Sequence, residues 1–471
     1  SIGGKDSMSG TFNDEKHGEI NVPPTLVSFA VTTSKTDRIV SPEFKAAGHR
    51  VILLRPSYTQ EGLPDTASLL SVISTVSDLL RTGRAVACYT PGMGGIAEAV
   101  MKMCFGNGFG FAFSDCLTTE EIFGPSYASF LLEMADDSVP YPVIGTVTEE
   151  QEIRKADASV PLSSLLAVYE GKLEPIFPCN IQNREKTPPT LSDSARERVS
   201  PAVKTAHPRV LIPVFPGTNC EYDSAKAVSG AGAIPEMIVI NNLSADDIRR
   251  SIADFAQKIR QSQMIFIPGG FSGGDEPDGS GKFITAFFRN PEIKEEVSTL
   301  LDRRDGLICG ICNGFQALIK LGLVPYGKIL DTDASFPTLT YNTIARHQSR
   351  IVRTRIVSNR SPWLALTNVG DIFSVPISHG EGRFLAAPAL VEQLAANGQI
   401  ATQYVDLNGN ATSDIRFNPN DSVCAIEGIT SPDGRVFGKM GHSERIDSGL
   451  YKNVPGNYNI RMFEAAVAYF K

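Results

Sequence analysis

The chain is poor in the residues that mark several common classes of protein. Its 471 residues include six histidines, eight cysteines and one tryptophan, and its formal net charge is −8. No apolar run is long enough to span a bilayer, so we expect no membrane association. The negative charge argues against a nucleic-acid-binding surface, although a local basic pocket for a phosphorylated ligand is compatible with it.

The cysteines do not form the dense framework of a disulfide-stabilised domain. Most lie in apolar or glycine-rich contexts, which is typical of reduced thiols and predicts a cytoplasmic protein. Cys309 and Cys312 form a C-x-x-C, but there is no second such pair and no histidine at zinc-binding spacing. We therefore expect no metal site and interpret Cys309 as a thiol buried in a strand.

A polar, proline-rich segment divides the chain. Residues 171–207 contain Asn183-Arg-Glu-Lys-Thr-Pro-Pro-Thr190 and lack apolar periodicity, which predicts a linker between residues 1–170 and 208–471. Two or three domains fit a chain of this length. Because the sequence opens on Ser1 and begins within a motif, we expect it to be a piece of a longer polypeptide.

Strands and helices alternate along residues 208–471. Apolar strands are expected near 209–215, 237–240 and 263–268, and Ser244 is placed to cap a helix. This pattern predicts an α/β fold, with a mostly parallel sheet covered by helices on both faces. In such sheets, sites form beyond the carboxyl ends of the strands. Residues 1–170 are expected to be a mixed α/β segment.

The most informative motif surrounds Cys312. An apolar run, Leu307-Ile308, leads into Gly310-Ile-Cys-Asn-Gly314 and then into a helix-like segment. Small residues on both sides of a thiol at a strand-to-helix turn are typical of a nucleophile elbow. The helix N-terminus beneath the thiol favours the thiolate, which predicts a cysteine nucleophile.

A cysteine nucleophile needs a base and a group that orients it. Two His-x-Glu pairs, His379 with Glu381 and His442 with Glu444, suit these roles, since residues i and i+2 of an extended chain point the same way. His442 follows a strand-like run and is the favoured base. His379 lies between glycines, in what looks like a binding loop.

An acyl-enzyme also needs an oxyanion hole, which backbone N–H groups can supply without any side chain. Asn313, the residue after the nucleophile, offers one, and the turn Gly269-Gly270-Phe271 at another strand end offers the second. An ordinary tight connection is the alternative interpretation of that turn.

These motifs resemble the class I glutamine amidotransferases, which have a flavodoxin-like fold. Gly310–Gln316 is similar to the elbow of that family, and Gly269–Ser272 to its oxyanion turn. The resemblance implies a triad of Cys312, His442 and Glu444, an oxyanion hole at Gly270 and Asn313, glutamine-binding residues Gln316, His379 and Phe271, and hydrolysis without a cofactor. The family usually has prolines beside the base, where this chain has Gly441 and Ser443.

Within that family, three segments resemble the formylglycinamidine ribonucleotide synthetases of purine biosynthesis: Phe215–Cys220, Ser378–Arg383 and Asn418–Asn420. Residues 1–170 resemble the C-terminal part of the same synthetases, an α+β domain of the aminoimidazole ribonucleotide (AIR) synthetase type. Ser1–Ser9 matches a family segment. Gly3-Gly-Lys5 within it suits a phosphate, with an ordinary glycine loop as the alternative. Pro91–Gly95 replaces an Asp-containing turn, which weakens an acidic metal-binding role there.

The resemblance implies that the full enzyme converts formylglycinamide ribonucleotide, glutamine and ATP, with Mg²⁺, to formylglycinamidine ribonucleotide. We expect this chain to be the ammonia-producing part and not to make that product without the missing N-terminal synthetase region. Two alternatives remain. A cysteine hydrolase of related fold is disfavoured by the His442-x-Glu444 pair and the synthetase-like first part. A non-catalytic interaction module is disfavoured by the intact Cys-His-Glu set.

Overall fold

The structure is a computed structural model. It describes residues 11–14, 18–21, 30, 32–35, 39–136, 140–175, 178–179, 181, 187–194, 198–271, 281–446, 450–451 and 454–471. The chain divides into two compact units, Ser1–Phe177 and Pro178–Lys471. The loop Gly3-Gly-Lys5 lies outside the described residues. In the described ranges, no helix combines the length and apolarity needed to cross a membrane.

The first unit contains a two-stranded antiparallel ribbon and a seven-stranded sheet of order β4-β6-β3-β7-β5-β8-β9. The strands are β1 (Thr11–Asp14), β2 (Gly18–Asn21), β3 (Arg50–Leu54), β4 (Ala85–Tyr89), β5 (Gly110–Phe113), β6 (Phe130–Met134), β7 (Val143–Thr148), β8 (Glu152–Lys155) and β9 (Ala158–Pro161). The helices are α1 (Thr66–Arg81), α2 (Gly95–Phe105), α3 (Thr119–Phe123) and α4 (Leu162–Gly171).

Both faces of this sheet are covered. Successive side chains of a strand point to opposite faces. Val51 and Leu53 of β3 therefore join one hydrophobic cluster, which includes residues of α2, while Ile52 and Leu54 join another, which includes residues of α1.

The second unit is built around a nine-stranded sheet of order β11-β10-β12-β13-β20-β19-β18-β15-β16, beside a small ribbon of β14 and β17. Its strands are β10 (Arg209–Val214), β11 (Ile234–Val239), β12 (Met264–Ile267), β13 (Leu307–Ile311), β14 (Thr338–Thr340), β15 (Gln348–Ile356), β16 (Ile372–His379), β17 (Arg383–Leu385), β18 (Ile400–Tyr404), β19 (Ile426–Thr430) and β20 (Val436–Lys439). Its helices are α5 (Glu221–Gly230), α6 (Ala245–Gln261), α7 (Lys282–Phe288), α8 (Pro291–Arg304), α9 (Asn313–Leu321), α10 (Leu323–Tyr326), α11 (Pro388–Ala396) and α12 (Met462–Phe470).

The prediction of a mostly parallel sheet is wrong for half of this sheet. From β11 through β10, β12 and β13 to β20 every pairing is parallel, but from β20 through β19, β18 and β15 to β16 every pairing is antiparallel. Helical crossovers join the strands from β10 to β13, and such connections give parallel neighbours. Short turns, such as residues 431–435 between β19 and β20, can only join antiparallel ones.

The helix predicted after Ser244 is present as α6. The Ser244 side chain accepts a hydrogen bond from the Asp247 N–H at 3.1 Å, as an N-cap should. At the centre of the sheet, β13 and β20 are neighbours, with Ile311 opposite Lys439. The segments that follow these two strands, which carry Cys312 and His442, therefore emerge side by side at one edge of the sheet.

Candidate active site

Cys312 occupies a sharp turn between β13 and α9. Its backbone has φ 53° and ψ −106°, an unusual conformation for a non-glycine residue, and its N–H donates to the Lys439 carbonyl at 2.9 Å. A Cβ at Gly314 would lie 2.1 Å from the Ile267 carbonyl oxygen, so only glycine fits there. The strand, tight turn and helix predicted around this thiol are all present.

His442 and Glu444 form a buried pair beside this turn. The Nδ1 atom of His442 lies 2.6 Å from Oε1 of Glu444, and both side chains are almost inaccessible to solvent. Burial by itself lowers the pKa of His442. The charge of Glu444, together with the neighbouring thiols of Cys220 and Cys312, outweighs that effect and holds the pKa well above its usual value.

A small cavity lies where several strands of the sheet end. Its lining includes Cys312, His442, Gly270 and Phe271, together with Asn219, Cys220, Ser378 and Arg445. The Cys312 Sγ atom lies 3.9 Å from the Ser378 carbonyl oxygen. The structure therefore brings four of the sequence-predicted site residues to one cavity.

Gly270 is held in a conformation that requires glycine. Its φ is 154°, and a Cβ there would lie 2.5 Å from the Gly217 carbonyl oxygen. That same carbonyl accepts the Phe271 N–H at 2.7 Å. The turn thus packs against the Phe215–Cys220 segment. Ser272, its last predicted member, lies outside the described residues.

Asn313, Gln316 and His379 do not line this cavity. Asn313 and Gln316 are buried in the first turn of α9, where Nδ2 of Asn313 donates to Oε1 of Gln316 at 2.9 Å. Nε2 of Gln316 donates to the Glu381 carbonyl at 2.6 Å. Gln316 therefore connects the nucleophile helix to the loop that begins at His379.

His379 ends β16 and is buried. Burial, followed by the charges of His442 and His347, lowers its pKa to about 3, so the ring is neutral at physiological pH. Within the described ranges, neither ring nitrogen has a hydrogen-bond partner. A buried neutral imidazole in this position is suited to shape the site rather than to act as the base.

Two further predicted motifs form one structural unit. The Asn420 side chain donates to the Gly382 carbonyl at 2.9 Å, and Arg383 pairs with Asp421 at 3.3 Å. The segment Asn418–Asn420 thus supports the loop Ser378–Arg383 from behind. Its contribution to the site is to hold that loop in place.

Sequence reasoning missed Cys220 as a neighbour of the base. Its Sγ atom lies 3.9 Å from Nδ1 of His442, and it lines the cavity. Cys220 follows the carboxyl end of β10, so the strand-end rule applied to Cys312 would have identified it. Within the described part of the chain, Cys220, His442 and Glu444 place ligand atoms within 4.8 Å of one another, a donor set that suits zinc. The hydrogen bond between His442 and Glu444 accounts for this arrangement without an ion.

Comparison with known proteins identifies the family to which this chain belongs. Residues 207–470, more than half of the chain, match the family model described as the CobB/CobQ-like glutamine amidotransferase domain. The chain belongs to this family. Its curated relatives include the phosphoribosylformylglycinamidine synthase subunit PurQ of Methanococcus maripaludis, 33% identical over 286 residues that cover 56% of this chain and 97% of the relative. PurQ of Dehalococcoides mccartyi is 34% identical over 244 residues, covering 51% and 86%.

Among solved structures, PurLQS from Thermotoga maritima matches with 25% identity and a TM-score of 0.41, covering 56% of this chain and 100% of that one. The glutaminase domain of CTPS from Trypanosoma brucei matches with 14% identity and a TM-score of 0.34, covering 55% and 93%. The family and its PurQ relatives confirm the predicted resemblance to glutamine amidotransferases of this kind and the predicted enzyme class. The chain is thus a glutamine amidotransferase whose similar curated relatives are named as the PurQ subunit of phosphoribosylformylglycinamidine synthase.

Proposed function

We propose that Cys312, His442 and Glu444 hydrolyse glutamine through a thioester and that the released ammonia serves a synthetase step on formylglycinamide ribonucleotide. The observation that carries this proposal is the meeting of the elbow thiol with a buried His-Glu pair at one cavity. An elevated pKa allows His442 to hold the thiol proton, which favours the Cys312 thiolate.

The first half-reaction forms the thioester. His442 takes the Cys312 proton, and Sγ attacks the carboxamide carbon of glutamine. The oxyanion accepts hydrogen bonds from the N–H groups of Gly270 and Asn313. The Asn313 side chain lies away from the cavity, but its backbone directly follows Cys312, which lines it. Because the Phe271 N–H already donates to the Gly217 carbonyl, Gly270 is the residue of that turn whose N–H serves as the oxyanion donor. His442 returns its proton to the leaving nitrogen, and ammonia departs.

The second half-reaction releases glutamate. His442 takes a proton from water, the resulting hydroxide attacks the thioester carbonyl, and the C–S bond breaks. The proton returns to the Cys312 sulfur, which restores the thiol. Glu444 keeps Nδ1 of His442 oriented throughout, and no metal or cofactor takes part.

In this proposal, the predicted glutamine-binding residues divide into one that contacts the substrate and two that lie behind the cavity wall. Phe271, whose side chain is partly exposed at the cavity, contacts the substrate. Gln316 lies behind the wall and acts by holding the loop Ser378–Arg383, while the buried His379 ring fills space within that loop. A buried support of this kind fixes the geometry of the groups in front of it.

We further propose the domain assignment: an AIR-synthetase-like C-terminal domain in residues 1–170, a linker at 171–207 and the glutaminase at 208–471. Two observations support it. The chain divides near residue 177, and the PurQ relatives align with only about half of it, for example 56%. In this proposal ATP, Mg²⁺ and formylglycinamide ribonucleotide belong to the synthetase step, in which the PurL-type region is the partner.

Labelling with the glutamine analogue 6-diazo-5-oxo-L-norleucine, followed by peptide mapping, tests the proposal. We expect modification at Cys312, protection by glutamine, and no modification of Cys312→Ala. Cys309 is the matched control, because it lies three residues away in β13 and burial raises its pKa well above the usual value. Modification of Cys220, Cys309 or Cys424 instead would refute the assignment. A chain that takes no label and hydrolyses no glutamine would support the interaction-module alternative.

A further inference from the structure

A buried ion pair lies directly beneath the candidate active site. Nζ of Lys439 lies 3.3 Å from Oε1 of Glu427, and the two side chains are 1% and 0% exposed. Oε2 of Glu427 also accepts a hydrogen bond from the Thr402 hydroxyl at 2.5 Å. Neither residue belongs to the catalytic set proposed above, and a charge is rarely buried in a protein core without a specific partner.

The ammonium group of Lys439 is directed at the segment that carries the base. Nζ donates to the Gly441 carbonyl at 2.9 Å and to the Ser443 hydroxyl at 3.1 Å. Glu427 completes the arrangement, since its Oε1 accepts the Gly441 N–H at 2.7 Å. The residues immediately before and after His442 are therefore both held by the ion pair.

The backbone of Lys439 holds the nucleophile. Its carbonyl accepts the Cys312 N–H at 2.9 Å, within the parallel register that pairs Ile311 with Lys439. One residue thus contacts the nucleophile through its backbone and the base segment through its side chain. It therefore links directly two segments, at Cys312 and His442, that are 130 residues apart in sequence.

The close packing around Gly441 shows how little freedom the segment has. A Cβ at this position would lie 2.7 Å from the Val375 side chain and 3.0 Å from Oε1 of Glu427. The His442 N–H donates to the Pro376 carbonyl at 2.9 Å, so the adjacent strand β16 limits the segment on another side. The segment that carries His442 is therefore contacted on one side by β16 and on the other by the ion pair.

We propose that Lys439 and Glu427 are positioning residues that set the separation between Cys312 and His442. This inference rests on the proposed function. A buried ion pair contributes little net stability compared with apolar residues of similar size, so its value here lies in defining one geometry. Three N–H donors of Lys439 meet three acceptors, which makes that geometry directional.

Three variants of the full chain test this role. Ser443→Ala keeps the ion pair and removes one contact to the base segment. Lys439→Met removes the charge and the contacts, and Lys439→Met combined with Glu427→Gln avoids leaving a buried carboxylate unpaired. Val436→Ala is the matched control, because Val436 is equally buried in β20 but lies at the strand's other end.

The readout is inactivation by 6-diazo-5-oxo-L-norleucine, measured as a maximal rate and a half-saturating concentration across pH, with melting temperatures recorded in parallel. A misplacement of about 1 Å can reduce a rate about 10²-fold. We expect the maximal rate of the double variant to be about 10- to 100-fold lower than that of the wild type, and that of Ser443→Ala to fall less. The half-saturating concentration should stay within about 2-fold of the wild-type value, and the pH profile of the rate should be displaced.

The inference is refuted if the folded double variant reacts with the wild-type rate and pH profile. It is also refuted if Val436→Ala, with a melting temperature equal to that of the double variant, loses as much of the inactivation rate. If Lys439→Met does not fold, Ser443→Ala and the double variant decide the result. Failure of the wild-type chain to be labelled at Cys312 would instead refute the proposed function, so the two failures are distinguishable.

Discussion

At the scale of single residues, burial acts on two histidines of one site with opposite outcomes. Among the described residues no anion offsets the desolvation of His379, and its pKa falls to about 3. His442 is just as buried, but Glu444 at 2.6 Å holds its pKa well above the usual value. Both histidines have a glutamate two residues along the chain, but only Glu444 hydrogen-bonds its imidazole, whereas neither ring nitrogen of His379 has a partner among the described residues. That contact makes the difference between a supporting histidine and a candidate base.

His379 should make the protein sensitive to acid. Between about pH 6.5 and 3 the unfolded chain binds a proton at this residue that the folded chain does not, so stability is lost as pH falls through that window. The loss is about 1.4 kcal/mol for each pH unit. In His379→Gln the free energy of unfolding should decline less steeply between pH 6.5 and 4.5. Urea titrations at several pH values measure this, and parallel curves for the two proteins would contradict it.

Removing the charge of Glu444 should reverse the behaviour of His442. Because the folded-state pKa is raised, this histidine stabilises the fold most below about pH 6.5, and the contribution is lost as pH rises through the folded value. In Glu444→Gln burial prevails, and the pKa of His442 should fall. The stability difference between the two proteins should therefore shrink from pH 6.5 to pH 9.

The same variant should react with the glutamine analogue roughly 10²- to 10⁴-fold more slowly, since the imidazole loses the group that orients it. Unfolding titrations at the two pH values and inactivation rates at neutral pH provide the measurements. A stability difference that does not depend on pH would show that the charge of Glu444 does not act on His442.

At the scale of elements, the turn between β13 and α9 depends on glycines that have no space for a side chain. The Cβ of an alanine at Gly314 would lie 2.1 Å from the Ile267 carbonyl oxygen of β12, so helix and strand must separate. The sequence pattern predicts this turn well, because its geometry follows from a few consecutive residues. It does not reveal that the neighbouring strand is what excludes the side chain.

Gly314→Ala should therefore destabilise the protein by about 1–3 kcal/mol, as expected when a side chain is forced into a packed site, and should slow the labelling of Cys312. Gly230→Ala is the matched control, because Gly230 lies at the end of α5 with open space where a Cβ would be. That variant should be stabilised by about 0.4–1 kcal/mol. Chemical denaturation of both variants tests the contrast, and similar shifts in the two would exclude a steric origin.

At the scale of the whole molecule, each unit has its own hydrophobic core. The large cluster of the second unit draws on buried side chains from Val210 to Phe470, while two smaller clusters lie entirely within residues 44–162. A separate core is the physical requirement for independent folding. The predicted linker at 171–207 overlaps the division of the chain at residue 177.

Residues 178–471 expressed alone should therefore fold cooperatively and be labelled at Cys312 at a rate within about 3-fold of the full chain, because that core is complete without the first unit. Calorimetry and labelling kinetics measure both properties, with Cys312→Ala in the same shortened chain as the control. A shortened chain without a cooperative transition would show that the glutaminase unit depends on residues 1–177.

The sequence alone determined features that depend on neighbouring residues. These are the elbow at Cys312, the His-x-Glu spacing that lets Glu444 reach His442, and the helix cap at Ser244. Local sterics and hydrogen bonds dictate such features. The strands from β10 to β13 were also predictable from the local sequence, although their bounds differ from the predicted ones by up to three residues.

Only the tertiary structure decided features made by residues far apart in the chain. The antiparallel half of the sheet, the approach of Cys220 to His442 across 222 residues and the ion pair of Lys439 with Glu427 depend on which strands become neighbours. No local pattern encodes that choice, since strand order is set by how the whole core packs. For the same reason, the sequence could favour His442 over His379, but only the fold placed one in the cavity beside Cys312 and the other behind its wall.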